Sequence, residues 1–538
     1  MPPFLALTIW LVLLVALLLF DPAKDPHVSV ALWVPIAWMF IVASRLPSQW
    51  FGGQLGLAAG TLEEGNPLDR TIFSILILVA MAILVSRSFR WSEFFSRNLA
   101  LTTFLLFALL SVLWSDFPFV AFKRWFRDLG SYLVILVVLS DPRPLEAVRT
   151  VLRRLGYLLI PLSILLMKYF PAIGMQYWIW TGAPMYVGPT TSKNMLGVLC
   201  LVSGLYFFWD TVARWPDRKT RRTKQILAVN VAFLSMTLWV LRLSDSATSR
   251  VCLVIGCLVI LAAHSRFRER HPGFLKFLVP GCFCLYVILA FGFGLNGELA
   301  STVGRDPSLT DRTFLWRVLL NMKTNPLIGT GYESFWLGPR LELVWKQFGG
   351  GINEAHNGYL EVYLNLGLIG LLLIGGFLIA SYRIICRRLR PFSDLASLSM
   401  ALWAALVFYN MTEASFKIHL MWVTFLLGAI AIPDFGENLA GSAALDRGRL
   451  AQFSFGQRSF SKVNASISAT KRAEHPKIVR QRNSPGCETR QPGASNAEAM
   501  PQGNNRRSKQ VAQNSLRIDE GKDRKEESLN HSRNVRRW

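Results

Sequence analysis

Charged side chains are scarce in this sequence. Asp, Glu, Lys and Arg make up 17% of 538 residues, against 52% hydrophobic residues. A soluble chain of this length carries more charge, so the composition does not fit a soluble protein. Metal-binding cysteine patterns are also missing, because the seven cysteines have no spacing suited to zinc. Cys200, Cys252, Cys257, Cys282 and Cys284 lie in apolar runs, and Cys386 and Cys487 in basic segments. None falls in a stretch read as facing outside, so neither disulfides nor a structural metal is expected. The first apolar run, 4–20, has no basic lead-in and no small-residue cleavage site. It is therefore read as a retained helix and not a signal peptide. Gly329-Thr330-Gly331 lacks the lysine of a phosphate-binding loop and reads as a tight turn after Asn325-Pro326. There is no carboxylate pair with glycosidase placement, no Ser/His/Asp arrangement and no internal repeat.

What is present is a series of long apolar runs, with a mean hydropathy of +0.34. The runs 4–20 and 28–43 are followed by others starting near Ile72, Leu99, Leu129, Leu155, Thr191, Gln225, Val251 and Phe274. Three more start near Tyr359, Ser397 and Lys417. Each is long enough to cross a bilayer, which predicts an all-α polytopic membrane protein with about 12–13 transmembrane helices. The net charge of +24 would suit nucleic acid, but the excess sits in short loops and a tail beside apolar runs. That pattern is a topology signal, and no nucleic-acid partner is expected. The basic loops 87–97, 143–154, 214–224, 266–276 and 383–390 all fall on one side, taken as cytoplasmic. Few charges are expected within the spans themselves. The segment 116–128 is assigned outside although it carries Lys123, Arg124 and Arg127. With Phe117, Phe119, Phe122, Trp125 and Phe126 it reads as lying flat in the interface.

Five regions follow. Residues 1–98 are N-terminal transmembrane helices, 99–294 a transmembrane core, and 295–358 one large periplasmic loop. Residues 359–433 are C-terminal transmembrane helices. The long loop holds Trp316, Trp336 and Trp345, which argues against disorder. From 434 to 538 the chain is rich in Ser, Asn, Gln, Gly and Arg. That composition reads as a disordered, basic cytoplasmic tail, either held near anionic headgroups or acting as a docking arm.

Chemistry-bearing residues gather near the outer ends of the spans. His356 is the one histidine in an outer loop, directly before the helix beginning at Tyr359. It suits a general base near neutral pH, or a structural role at the helix start. Arg250, Arg312 and Arg317 suit a pyrophosphate, because a guanidinium donates two parallel hydrogen bonds. Their ordinary role would be interfacial snorkelling or salt bridges. Lys193 and Asn194 could hold a phosphate or a sugar hydroxyl, or serve as interfacial anchors.

Several of these stretches together resemble the O-antigen ligase and polymerase family of bacterial membrane proteins. The clearest is His356-Asn357, nine residues, Gly367, two residues, then Gly370. The stretch 311–317, the phrase Pro326-Leu327-Ile328-Gly329-Thr330-Gly331-Tyr332, the run Ser192-Lys193-Asn194-Met195-Leu196-Gly197 and the Ser-rich approach to Arg250 add to it. The resemblance covers roughly 99–432. The family's ligases place leucine at the fourth position after an arginine, where this chain has Val254 after Arg250. The phrase 332–336 looks more like polymerases of the succinoglycan type, which favours polymerase over ligase.

The resemblance implies a multi-pass protein of the bacterial inner membrane that transfers a glycan from undecaprenyl pyrophosphate without a cofactor or metal. His356 would be catalytic, with Arg250, Arg312, Arg317, Lys193, Asn194 and Asn357 binding substrate. Attack would invert the anomeric centre, and the loop tryptophans would stack on sugars. Partners would be the lipid-linked oligosaccharide, an acceptor glycan lipid, membrane lipids, and chain-length regulator and flippase proteins. A transporter or flippase is the competing class, and would place ionisable residues near the bilayer midplane and an inverted repeat.

Overall fold

The computed structural model describes residues 1–52, 65–177, 182–265, 274–288, 310–348, 351–389 and 393–432. The expected tail and 295–309 of the long loop lie outside the described residues. Among the described residues the chain is helical, apart from a two-stranded antiparallel ribbon, Met175–Tyr177 with Pro184–Tyr186. The longer helices are α1 Pro3–Phe20, α2 Trp33–Ala43, α3 Pro67–Ser86, α4 Leu99–Leu110, α5 Pro118–Leu139, α6 Pro144–Tyr169, α7 Lys193–Arg214 and α8 Arg221–Ser244. They continue with α9 Ala247–His264, α10 Phe274–Val287, α11 Thr310–Leu320, α12 Gly338–Phe348, α13 Gly358–Arg388, α14 Ser393–Tyr409 and α15 Leu420–Ala429. By length and composition α1, α3, α6, α7, α8, α9 and α13 can each cross a bilayer. The helix Trp91–Arg97 and the one that follows it form a further bent pair, and four shorter apolar helices accompany them. The protein is an all-α polytopic membrane protein.

Some helices, α3 and α8 among them, begin earlier than the apolar runs suggested, because polar first turns are capped. Asn66, Ser192 and Thr220 each accept a bond from a backbone N–H in the first turn of α3, α7 and α8. Proline opens α3, α5 and α6, where its missing N–H is not needed. This corrects the reading of 116–128 as a flat interfacial segment. From Pro118 it is the first half of α5, continuous with the buried stretch that ends at Leu139. Phe119, Phe122 and Phe126 remain exposed on it, as an interfacial aromatic face would be.

Few charges lie mid-span among the described residues, but several are buried toward helix ends. Arg149 and Arg153 lie inside α6 and Asp210 inside α7, all buried. Arg153 pairs with Asp21 at 2.8 Å, and Asp210 takes Arg214 at 2.8 Å and Arg149 at 3.3 Å. Asn230 adds a hydrogen bond of 2.9 Å to Asp210. Asp210 sits one turn before the end of α7, so this compensated network ties helix ends together.

In the long loop, α11 and α12 pack around Leu315, Leu319, Phe335, Trp336, Leu341 and Val344. The three indoles point inward. Trp316 donates to the Ala355 carbonyl at 2.8 Å, Trp345 to the Ile352 carbonyl at 2.8 Å, and Trp336 to Glu361 at 2.6 Å. They hold the loop together, so sugar stacking by Trp336, which is 6% exposed, is not what the fold provides.

The loop is spliced into the bundle at Gly367, where α13 breaks at φ 66° and ψ −164°. A break orphans the carbonyls before it and the N–H groups after it. The turn 326–331 satisfies both sets. Thr330 and Gly331 donate to the carbonyls of Leu364 and Asn365, and Leu368 and Ile369 donate to those of Pro326 and Leu327. A Cβ on Gly329 would lie 2.4 Å from the Asn365 backbone, and one on Gly367 2.3 Å from that of Leu327. The two glycine motifs are thus one contact. Gly367→Ala should lower stability by more than the about 1–3 kcal/mol of backbone strain alone. Gly375→Ala, with nothing within 4 Å of the new methyl, should be tolerated. Thermal unfolding in detergent checks this, and equal melting temperatures for the two variants would refute it.

Candidate functional site

The site is built where the loop returns to the bundle. Asn357 caps α13 by accepting from Leu360 N–H at 3.0 Å, and its amide donates to the Met411 carbonyl at 3.2 Å. Gly358 N–H donates to the Asn410 carbonyl at 2.8 Å. A Cβ there would meet Asn410 Oδ1 at 1.9 Å, so only glycine lets the strands of chain approach. Asn410 in turn bonds Ser415 through both its amide nitrogen and its oxygen, closing the connection between α14 and α15. His356 and Glu413 are thereby set side by side. His356 itself has φ +49°, an unfavourable backbone state for a non-glycine residue that the surrounding bonds enforce.

Glu413, 3% exposed, is the hub. One carboxylate oxygen takes Asn194 at 3.0 Å and Arg312 at 3.2 Å; the other lies 3.5 Å from His356 Nδ1. Arg312 also donates to the Thr412 carbonyl. On its other flank His356 Nδ1 lies 3.1 Å from Glu354, whose second oxygen is 3.7 Å from Lys417. Three residues singled out from the sequence, His356, Arg312 and Asn194, therefore converge on one carboxylate, and Asn357 anchors the same connection.

Arg250 and Lys193 form an adjoining pair on Asp245, at 2.9 and 3.7 Å. A Thr248–Thr412 hydrogen bond of 2.8 Å joins the start of α9 to the Glu413 segment. Gly197 permits this approach of α7 and α9, because a Cβ on it would lie 2.4 Å from that of Ser246. Arg317 is exposed and is not brought into the group.

Burial alone would lower the pKa of His356, but the carboxylates of Glu354 and Glu413 raise it to about 9. Burial would raise that of Glu354, yet His356 and Lys417 hold it down to about 2. His419, by contrast, is pushed to about 4 by burial and caps α15 as a neutral ring. The raised His356 contributes stability in full below its usual 6.5 and loses it as pH rises through about 9. The depressed Glu354 contributes above its usual 4.5 and loses it as pH falls through about 2. The ion group is fully intact between those two ordinary values.

Glu354, His356 and Glu413 lie close enough to share a metal ion. The fit is poor, because Lys417 and Arg312 already neutralise the two carboxylates and their charge would oppose a dication. Glu354 and Glu413 are the functional side chains that sequence reasoning missed. Glu354 stands two residues before His356. Glu413 belongs to the polar string Asn410-Met411-Thr412-Glu413, which interrupts two apolar runs.

The fold and this group define a polytopic helical membrane protein with a cation-rich polar centre at one end of the bundle. Residues 231–375 match the family model described as O-antigen ligase. That stretch includes Arg250, Arg312, Arg317, His356 and Asn357. The exopolysaccharide production protein ExoQ of Rhizobium meliloti (strain 1021) is 27% identical over 293 residues, which is 52% of this chain and 63% of that protein. The chain thus spans less than two thirds of that relative. Over these stretches the chain is similar to the O-antigen ligase family, as the motifs indicated.

Replacing Glu413 by Gln should move the His356 pKa down from about 9, toward 6.5. Imidazole NMR titration of wild type and variant measures it. An unchanged value would show that Glu413 does not govern the histidine.

Proposed function

We propose that the protein transfers an undecaprenyl-pyrophosphate-linked glycan to an acceptor hydroxyl on the outer face of the bacterial inner membrane, polymerising exopolysaccharide repeat units. The observation that carries this reading is the convergence of His356, Arg312 and Asn194 on buried Glu413, beside the Arg250–Lys193 pair. His356 Nδ1 faces the two carboxylates, which leaves Nε2 for the acceptor hydroxyl. The hydroxyl oxygen attacks the anomeric carbon as the bond to pyrophosphate breaks, and the proton passes to Nε2. Glu354 and Glu413 stabilise the imidazolium that forms, as an orienting carboxylate does in a catalytic triad. Arg312 and Arg250 take up charge developing on the leaving pyrophosphate. Attack opposite the leaving group inverts the anomeric centre. Pyrophosphate leaves readily, so no metal is needed, and activity should survive EDTA.

His356→Ala should lower turnover by about 10²–10⁴-fold while the protein still accumulates in the membrane. Because the base is protonated below its pKa, kcat/KM should rise with pH toward about 9. Assay of purified protein across pH 6–10 tests both; a profile flat or falling over that range would remove the general-base role.

The ligase reading, transfer to a lipid A core, is favoured by the description of the matching family model. The name of the relative favours polymer production. A deletion strain separates them. Loss of long-chain polysaccharide with an intact capability to cap the core is expected. Full-length polymer left on the carrier would identify a ligase.

A further inference from the structure

Each of the two arginines given to the pyrophosphate is paired with a carboxylate, and the two pairs differ in burial. Arg312 is held by Glu413, which is buried at the hub. Arg250 is held by Asp245 at 2.9 Å, and the other Asp245 oxygen lies 3.7 Å from Lys193. The side chain of Asp245 is 70% exposed and that of Arg250 46%. A buried pair is costly to open, because one charge is left unpaired out of water. An exposed pair is weak and gives way to a stronger anion.

Asp245 ends α8 in the left-handed conformation, at φ 49° and ψ 35°. Glycine is the usual residue in that state, and Asp and Asn are the side-chain-bearing residues that enter it at least cost. Its neighbours Ser244 and Ser246 are both buried, so the turn is fixed while the carboxylate stands in water. The two cations come from other elements: Lys193 opens α7 and Arg250 lies in the first turn of α9. Asn194, next to Lys193, bonds Glu413, and Thr248 bonds Thr412. The exposed ion group is thereby tied to the buried hub.

We propose that Asp245 is the exchangeable counter-ion of the pyrophosphate subsite. It holds Arg250 and Lys193 when the subsite is empty, gives them up to the donor, and takes them back as the product leaves. The assignment rests on the glycan-transfer reading and deepens it. When the bond from the anomeric carbon to the pyrophosphate oxygen breaks, its electron pair stays on that oxygen. The carrier pyrophosphate therefore leaves with one more negative charge than the donor brought, and two uncompensated cations would retain it. Asp245 competes for the same two cations and shortens its stay. Glu413, being buried, stays on Arg312 throughout.

The test uses the full-length protein, in detergent for binding and in proteoliposomes with the lipid-linked repeat for turnover. Asp245→Asn removes the charge and keeps a residue suited to the left-handed backbone; Asp245→Gly removes the side chain and suits that backbone too. By calorimetry both variants should bind inorganic pyrophosphate about fivefold more tightly, the upper range for an exposed ion pair. Undecaprenyl pyrophosphate should become a stronger product inhibitor by a similar factor, with donor KM and kcat both lowered. Unchanged or weaker pyrophosphate binding in either variant would overturn the counter-ion role, as would absence of binding to wild type. A donor KM raised in both variants would also overturn it, since the carboxylate would then be positioning Arg250 and not competing for it. Tighter binding in both variants of a protein that forms no glycosidic bond would sink the transfer reading and keep Asp245 as the counter-ion of a pyrophosphate site.

Discussion

A carboxylate that is 3% exposed in a helical membrane protein is costly unless its charge is matched, and Glu413 is matched from three directions. Asn194 comes from the start of α7, Arg312 from α11 and His356 from the approach to α13. None of these residues is near another in sequence. Removing Glu413 would leave Arg312 and His356 as neighbouring cations with no shared counter-charge, and would free the start of α7 from the loop. The site therefore depends on one ionic hub, and the loop's position depends on it in turn. Glu354 and Lys417 extend the same alternation of charge on the far side of His356.

Backbone geometry makes that hub possible. The break at Gly367 and the turn at Gly329 exchange hydrogen bonds that an unbroken helix would keep to itself. This docks the loop against α13 with no orphaned amide at the junction. Gly358 performs a similar service against Asn410. The motif glycines are places where two backbones touch, and the polar residues between them are held because the backbones cannot move apart.

Much of this was legible in the sequence. Apolar runs gave the all-α polytopic class, though seven of the described helices, and not 12–13, are long and apolar enough to cross a bilayer; the His-Asn and glycine spacing picked out His356, Asn357 and Gly367. Arg312 and Asn194 stood out because polar residues at the ends of spans are few. Glu413 did not, since its importance comes from partners far away in the chain, and the one local sign was the short break 410–413 between two apolar runs. The same holds for Arg149, Arg153 and Asp210. A basic run beside an apolar one reads as a cytoplasmic loop, and only packing shows those arginines buried against acids from other helices. Trp336 misled for a related reason: an indole in an external loop resembles a sugar platform until it is seen buried with its N–H bonded inward.

The most direct check on the account is the chemistry of the purified protein supplied with lipid-linked repeat in proteoliposomes. The account predicts a new glycosidic bond of inverted configuration, with one undecaprenyl pyrophosphate released for each bond formed. Movement of the intact lipid-linked repeat across the bilayer with no bond formed would contradict it, and would make the protein a transporter.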